Sequence, residues 1–96
     1  MYYIKVHRIE KEVIVAACDK EVYARRFKQG KLKFFADPEF YGDKLFGEKE
    51  MLELFREATI INLAGSKCIR AAINADLVDP ENIIRVESCE HAQVMK

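Results

Sequence analysis

The sequence predicts a single small α+β domain, and three observations carry that expectation. Residues 2–9 and 12–18 read as consecutive strands, residues 48–58 space their apolar side chains as one helix face, and β-branched runs return near residues 59–64 and 83–87. The expected architecture is an N-terminal β-hairpin within about five or six strands, with three helices packed on the sheet.

In the first strand Tyr2, Ile4 and Val6 alternate with Tyr3, Lys5 and His7, the period of a half-buried strand. Glu10-Lys11 makes a polar break, and Val13 to Cys18 then runs apolar on both faces, which suits a central strand covered on both sides. Asp19 is placed to cap a short helix over residues 20–28, with Gly30 where a helix terminator belongs. Lys31 to Ala36 reads as extended, with Leu32 and Phe34 on one side. The segment from Asp37 to Gly47 holds Pro38, Gly42 and Gly47 and reads as a loop. Its Phe40, Tyr41, Leu45 and Phe46 predict that it folds back onto the domain.

Met51, Leu54, Phe55 and Ala58 share one face of a helix over residues 48–58, whose first turn carries Glu48 and Glu50 at the positive end of the dipole. Thr59-Ile60-Ile61 places three β-branched residues in a row; each loses side-chain freedom in a helix, so residues 59–64 are expected as a strand. The rival is a helix continued to Gly65. Ser66 is expected to cap a helix over residues 67–77, and Asp79-Pro80 to start a turn before strands at 83–87 and 92–95. The expected core is Ile4, Val6, Val13, Val15, Leu52, Phe55, Ile69 and Ile73.

Half the residues are apolar and a third are charged, a globular composition. No run is long and apolar enough to predict a membrane span, and Met1 to Lys5 has no signal-peptide pattern, so the cytoplasm is the expected compartment. Sixteen basic residues balance sixteen acidic ones, which lowers the expectation of nonspecific nucleic-acid binding by the whole surface. Three cysteines, Cys18, Cys68 and Cys89, are odd in number and widely spaced, which argues against a disulfide framework.

Several segments follow one another in a known order. They are Tyr3-Ile4-Lys5-Val6-His7-Arg8, the run from Glu12 to Ala16 ending in Cys18-Asp19, and Phe40-Tyr41-Gly42. Ala58-Thr59-Ile60, Asn62-Leu63 with Gly65, the run from Leu77 to Arg85, and His91-Ala92-Gln93 complete the set. Together they resemble the archaeal domain-of-unknown-function family 424 over essentially the whole chain. The family pattern has a Gly-Val-Pro-like turn before the His-Ala-Gln triplet, where this chain carries Ser88-Cys89-Glu90. The resemblance implies an archaeal cytoplasmic protein and supplies no activity, substrate or cofactor.

Four constellations could carry chemistry. The first is Lys20, Arg25, Arg26, Lys28, Lys31 and Lys33, interleaved with Tyr23, Phe27 and Phe34 and opposed by Glu21 alone. Cations attract phosphates and aromatic faces stack on unpaired bases; the plainer alternative is a solvated face whose aromatics point inward. The second is Asn62-Leu63-Ala64-Gly65-Ser66-Lys67, where a strand-to-helix turn could present free N–H groups to an anion. It lacks the full phosphate-binding loop, which excludes a nucleotide hydrolase of that type, and the plainer alternative is an ordinary helix cap. The third is Cys89-Glu90-His91 with Gln93, in which Cys89 and His91 could act as nucleophile and base; the plainer alternative has His91 and Gln93 bonding neighbouring backbone. The fourth, seven acids between Asp37 and Glu57 against Lys44, Lys49 and Arg56, is explained by a helix whose wet side carries Glu50, Glu53 and Glu57.

No metal ion or cofactor is expected, because Cys18 and Cys68 stand alone and His7 is distant in sequence. The expected function is a noncatalytic binding module associated with RNA or a ribonucleoprotein machine of the translation type. Arg25, Arg26, Lys28, Lys31, Lys33, Gly65, Ser66 and Lys67 are its candidate phosphate contacts, and Asn62, His91 and Gln93 a candidate polar site. The alternative is a protein–protein adaptor or homodimer that uses Phe40, Tyr41 and Phe46. A small cysteine/histidine enzyme stands third.

Overall fold

The computed structural model describes all 96 residues. Strand β1 (Tyr2–Ile9) turns at Glu10, whose φ is 54°, into β2 (Glu12–Asp19), and the two pair antiparallel along their full lengths. The chain then makes a short hairpin, β3 (Arg26–Gln29) and β4 (Leu32–Phe35), followed by a one-turn helix α1 (Pro38–Tyr41) and the two-residue strand β5 (Leu45–Phe46). Helix α2 (Glu48–Glu57), β6 (Ile60–Ala64) and α3 (Ser66–Asn74) come next. A single 3-10 turn over Pro80–Asn82 leads into β7 (Ile83–Val86) and β8 (Cys89–Met95).

Six strands form one mixed sheet in the order β5-β1-β2-β6-β8-β7, and β3-β4 stands apart as a two-stranded sheet. β2 and β6 run parallel at its centre, and the remaining pairs are antiparallel. Thr59 fastens the start of the parallel pair. Its Oγ1 accepts from the Val13 N–H at 2.8 Å and its own N–H donates to the Val13 carbonyl at 2.8 Å. Residues 59–64 thus enter the sheet, and no helix continues to Gly65.

Alternation gives the sheet two faces. One carries Tyr2, Ile4, Val15, Ala17, Ile61, Leu63 and Ala92, and α2 and α3 close over it with Met51, Phe55, Cys68, Ile69 and Ala72. Small residues on α3 let its backbone approach the sheet closely. Of the expected core, Ile4, Val15, Phe55 and Ile69 are buried, while Val6, Val13, Leu52 and Ile73 are half-buried at its margin. Met51 takes the inward position, four residues before Phe55, because that spacing aligns two side chains along a helix face.

The opposite face is covered at one end only. There Ala16, Cys18 and Ala64 pack under Tyr41, with Tyr3, Tyr23, Phe34 and Phe40 around them. The segment from Asp37 to Gly47 does fold back onto the domain. His7 Nε2 bonds the Phe40 carbonyl at 2.8 Å, and Tyr23, stacked 3.7 Å from Tyr3, donates to the Gly42 carbonyl at 2.6 Å. The Cα radius of gyration, 12.3 Å, matches the roughly 12.5 Å of a compact domain this long.

Two expectations fail locally. No helix spans residues 20–28; Ala24 adopts φ 65°, which stops a helix, and Arg26 to Gln29 form β3. The cross-strand pair of Phe27 with Phe34 fixes that hairpin, and Gly30, at φ 60°, makes its turn instead of ending a helix. Nor does the Ser66 side chain cap α3. The Asp19 carboxylate does, accepting from the Lys67 N–H at 2.9 Å and the Cys68 N–H at 2.8 Å.

Candidate functional site

The basic segment becomes a two-faced ribbon. Register pairs Arg26 with Phe35, Phe27 with Phe34, Lys28 with Lys33 and Gln29 with Leu32. Phe27 and Phe34 turn toward the domain, where Phe27 packs with Val86 and Cys89. Arg26, Lys28, Lys33 and Phe35 therefore share the outer face. The Arg26 guanidinium lies 4.0 Å from the centre of the Phe35 ring, a cation–π stack. Lys31 is exposed at the turn. Glu87 borders this face, its carboxylate accepting the Lys28 backbone N–H.

Arg25 separates from the other four. Its guanidinium donates to the Glu21 carbonyl at 3.2 Å and stands 5.1 Å from the Phe27 ring, toward the N-terminus of α3. Gly65, Ser66 and Lys67 sit there too. The N–H groups of Lys67 and Cys68 are already held by Asp19, and Lys67 Nζ pairs with Glu21 at 2.7 Å. Gly65, at φ 111°, is the close-approach residue, since a Cβ there would lie 2.4 Å from the Asp19 carboxyl carbon. Asp19 and Glu21 thus already engage two of the helix N–H groups and the Lys67 ammonium, and Ser66 stays exposed.

The fold brings Asn62, His91 and Gln93 together on the partly covered sheet face. Asn62 and Gln93 are direct cross-strand partners, and His91 stands two residues from Gln93 on the same face. The Asn62 Oδ1 accepts from the Tyr41 hydroxyl at 2.6 Å and from His91 Nε2 at 3.2 Å. The His91 ring also lies 4.7 Å from the Phe34 ring, beneath the hairpin. Burial lowers the His91 pKa, and burial raises that of Tyr41, so both groups are held neutral.

Cys89 packs with Phe27 and Val86, and its thiol donates to the Glu90 carbonyl at 3.6 Å and makes no hydrogen bond to His91. Its thiol is buried and pushed up to about 11, chiefly by burial and then by the charge of Asp19. A raised thiol beside an imidazole with a lowered pKa is the reverse of a thiolate–imidazolium pair. Burial also pushes Cys18 up to about 12 and raises Cys68 well above the ordinary thiol value. No three His, Cys, Asp or Glu side chains converge as a metal-ligating group.

Phe40, Tyr41 and Phe46 are buried or half-buried against the sheet. The large apolar residues most exposed on the open part of the second face are instead Ile9 at 58 %, Ile84 at 55 % and Met95 at 72 %. No helix is long and apolar enough to cross a membrane. Sequence reasoning missed Phe35 and Tyr41 as site residues. The Phe34-Phe35 doublet was the available signal, because adjacent residues of a strand must point to opposite sides.

A crystal structure of an uncharacterized conserved protein from Methanopyrus kandleri superposes with a TM-score of 0.81 at 20% identity. It covers 97% of this chain and 89% of that one, and establishes a shared fold. No curated protein matches the sequence. The family described as a protein of unknown function (DUF424) matches residues 7–96, and the chain belongs to it.

Proposed function

We propose that this protein is a noncatalytic module that binds RNA through the outer face of the β3-β4 hairpin. The observation that carries the proposal is the direct pairing of Lys28 with Lys33 beside the Arg26–Phe35 stack. Like charges directly opposite each other destabilise an antiparallel pair. A fold gains nothing from that arrangement by itself, whereas a polyanion laid across the ribbon neutralises both lysines. An aromatic ring beside them adds a surface on which an unpaired base stacks.

Lys28→Glu combined with Lys33→Glu tests this cleanly, because one like-charge pair replaces another and the fold keeps its cross-strand balance. The double variant should melt close to the wild type, while its affinity for any RNA sequence drops about tenfold or more at low salt. Phe35→Ala should weaken single strands more than duplexes. Equal RNA affinity of the double variant and the wild type would make the hairpin a solvated face only.

A further inference from the structure

The Asn62–His91–Gln93 cluster has polar groups left over after its internal bonds are counted. Asn62 Oδ1 receives both the Tyr41 hydroxyl and His91 Nε2. That fixes the outward orientation of the Asn62 amide nitrogen, whose two N–H groups have no partner within the protein. With Nε2 donating, His91 Nδ1 is left as a free acceptor. No buried polar side-chain atom lacks a partner, so both atoms keep contact with solvent. Gln93, opposite Asn62, is exposed and adds an amide that offers donor and acceptor together.

Apolar surface borders these groups on two sides. Ile14, Ile60 and Met95 form the next cross-strand row on the same face, with Met95 largely exposed. On the other side the Phe34 ring rests against His91. The surface therefore joins a donor, an acceptor and an adaptable amide to an apolar ledge. A ligand that matches it is planar, carries adjacent hydrogen-bond donors and acceptors on its edge, and has an apolar face. An unpaired nucleobase has all three properties. Phe34 belongs to the same hairpin that carries Arg26, Lys28 and Lys33 on its opposite, outer face, so phosphate-attracting charge lies across the hairpin from the cluster, within reach of a strand that passes over its edge.

We propose that Asn62, His91 and Gln93 form a binding site for the edge of an unpaired nucleobase. It rests on the RNA reading above and sharpens it to single-stranded or looped RNA, because the base edges of a duplex are already paired. Gln93 is the contact that can be removed without disturbing the fold, since its side chain bonds nothing inside the protein.

The test uses the full chain with RNA strands of about ten nucleotides, a length suited to one small binding domain, and a duplex of equal length. Nitrogen-resolved NMR follows the Asn62 and Gln93 side-chain amides and the His91 ring. Single strands should move these signals, the duplex should not, and His91 should be found as the Nε2–H tautomer. Gln93→Ala should weaken single-strand binding about five- to tenfold, a hydrogen bond's worth, without changing its salt dependence. Binding that depends on Lys28 and Lys33 but leaves these signals and Gln93→Ala unaffected would overturn the base site while the hairpin reading stands. Equal shifts with duplex would overturn it too, as would shifts that follow protein concentration without RNA, which assign the face to a second copy. If no RNA binds with salt-dependent affinity, both readings fall together.

Discussion

At Gly65 a single hydrogen atom in place of a side chain lets a carboxylate enter. The Asp19 carboxylate, the one buried charged side chain, reaches past Gly65 to cap α3. Gly65→Ala forces a Cβ into that space at a φ of 111° and should cost about 2–4 kcal/mol in urea unfolding. Asp19→Ala leaves two N–H groups without their acceptor and should cost about 2 kcal/mol. His91 supplies a pH signature. Burial lowers its folded-state pKa below the unfolded value, so its neutral form contributes stability in full above about pH 6.5. That contribution is lost as the pH falls through the folded pKa, because the unfolded chain takes up the proton first. Urea midpoints measured from pH 8 to pH 5 should fall over the acidic half, and His91→Gln should flatten that part of the profile. Gly65 and the set of Asn62, His91 and Gln93 were legible in the sequence, but Asp19 lies 48 positions before Lys67, and nothing local announces which helix Asp19 caps.

Elements with strong periodicity were legible. β1, β2, α2 and β6 fall where alternation, helical spacing and β-branching place them. Segment 20–28 was misread because a capping residue at Asp19 and a glycine at Gly30 frame it like a helix. What overrides that frame is tertiary: Phe27 finds Phe34 across a hairpin and then Val86 and Cys89 beneath it. Within α2 the register is testable. Met51 and Phe55 are fully buried whereas Leu52 is half-buried. Met51→Ala should cost about 2–4 kcal/mol and Phe55→Ala about 3–5, both well above Leu52→Ala in the same unfolding assay. A larger loss at Leu52 than at Met51 would mean that the helix is rotated on the sheet.

At the scale of the whole molecule, the two sheet faces divide the work. Helices α2 and α3 close one face and hold the fold, while α1 and the β3-β4 hairpin cover only part of the other. That asymmetry leaves polar and apolar side chains of β6, β7 and β8 open beside a charged ribbon, although net charge is zero. Overall charge balance thus hid a local face, and only the hairpin's register separated Arg25 from Arg26, Lys28, Lys31 and Lys33. Strand order, which pairs β6 with β8 and sets Asn62 opposite Gln93, could not be read from sequence, because Asn62 and His91 stand 29 positions apart. The most direct test of hairpin binding is the salt dependence of affinity for single-stranded RNA. Four phosphate contacts predict a slope of about −2.8 in log affinity against log salt, falling to about −1.4 when Lys28 and Lys33 are both reversed. A wild-type slope near zero, or one unchanged by the reversal, would contradict the assignment of the hairpin as the RNA-binding face.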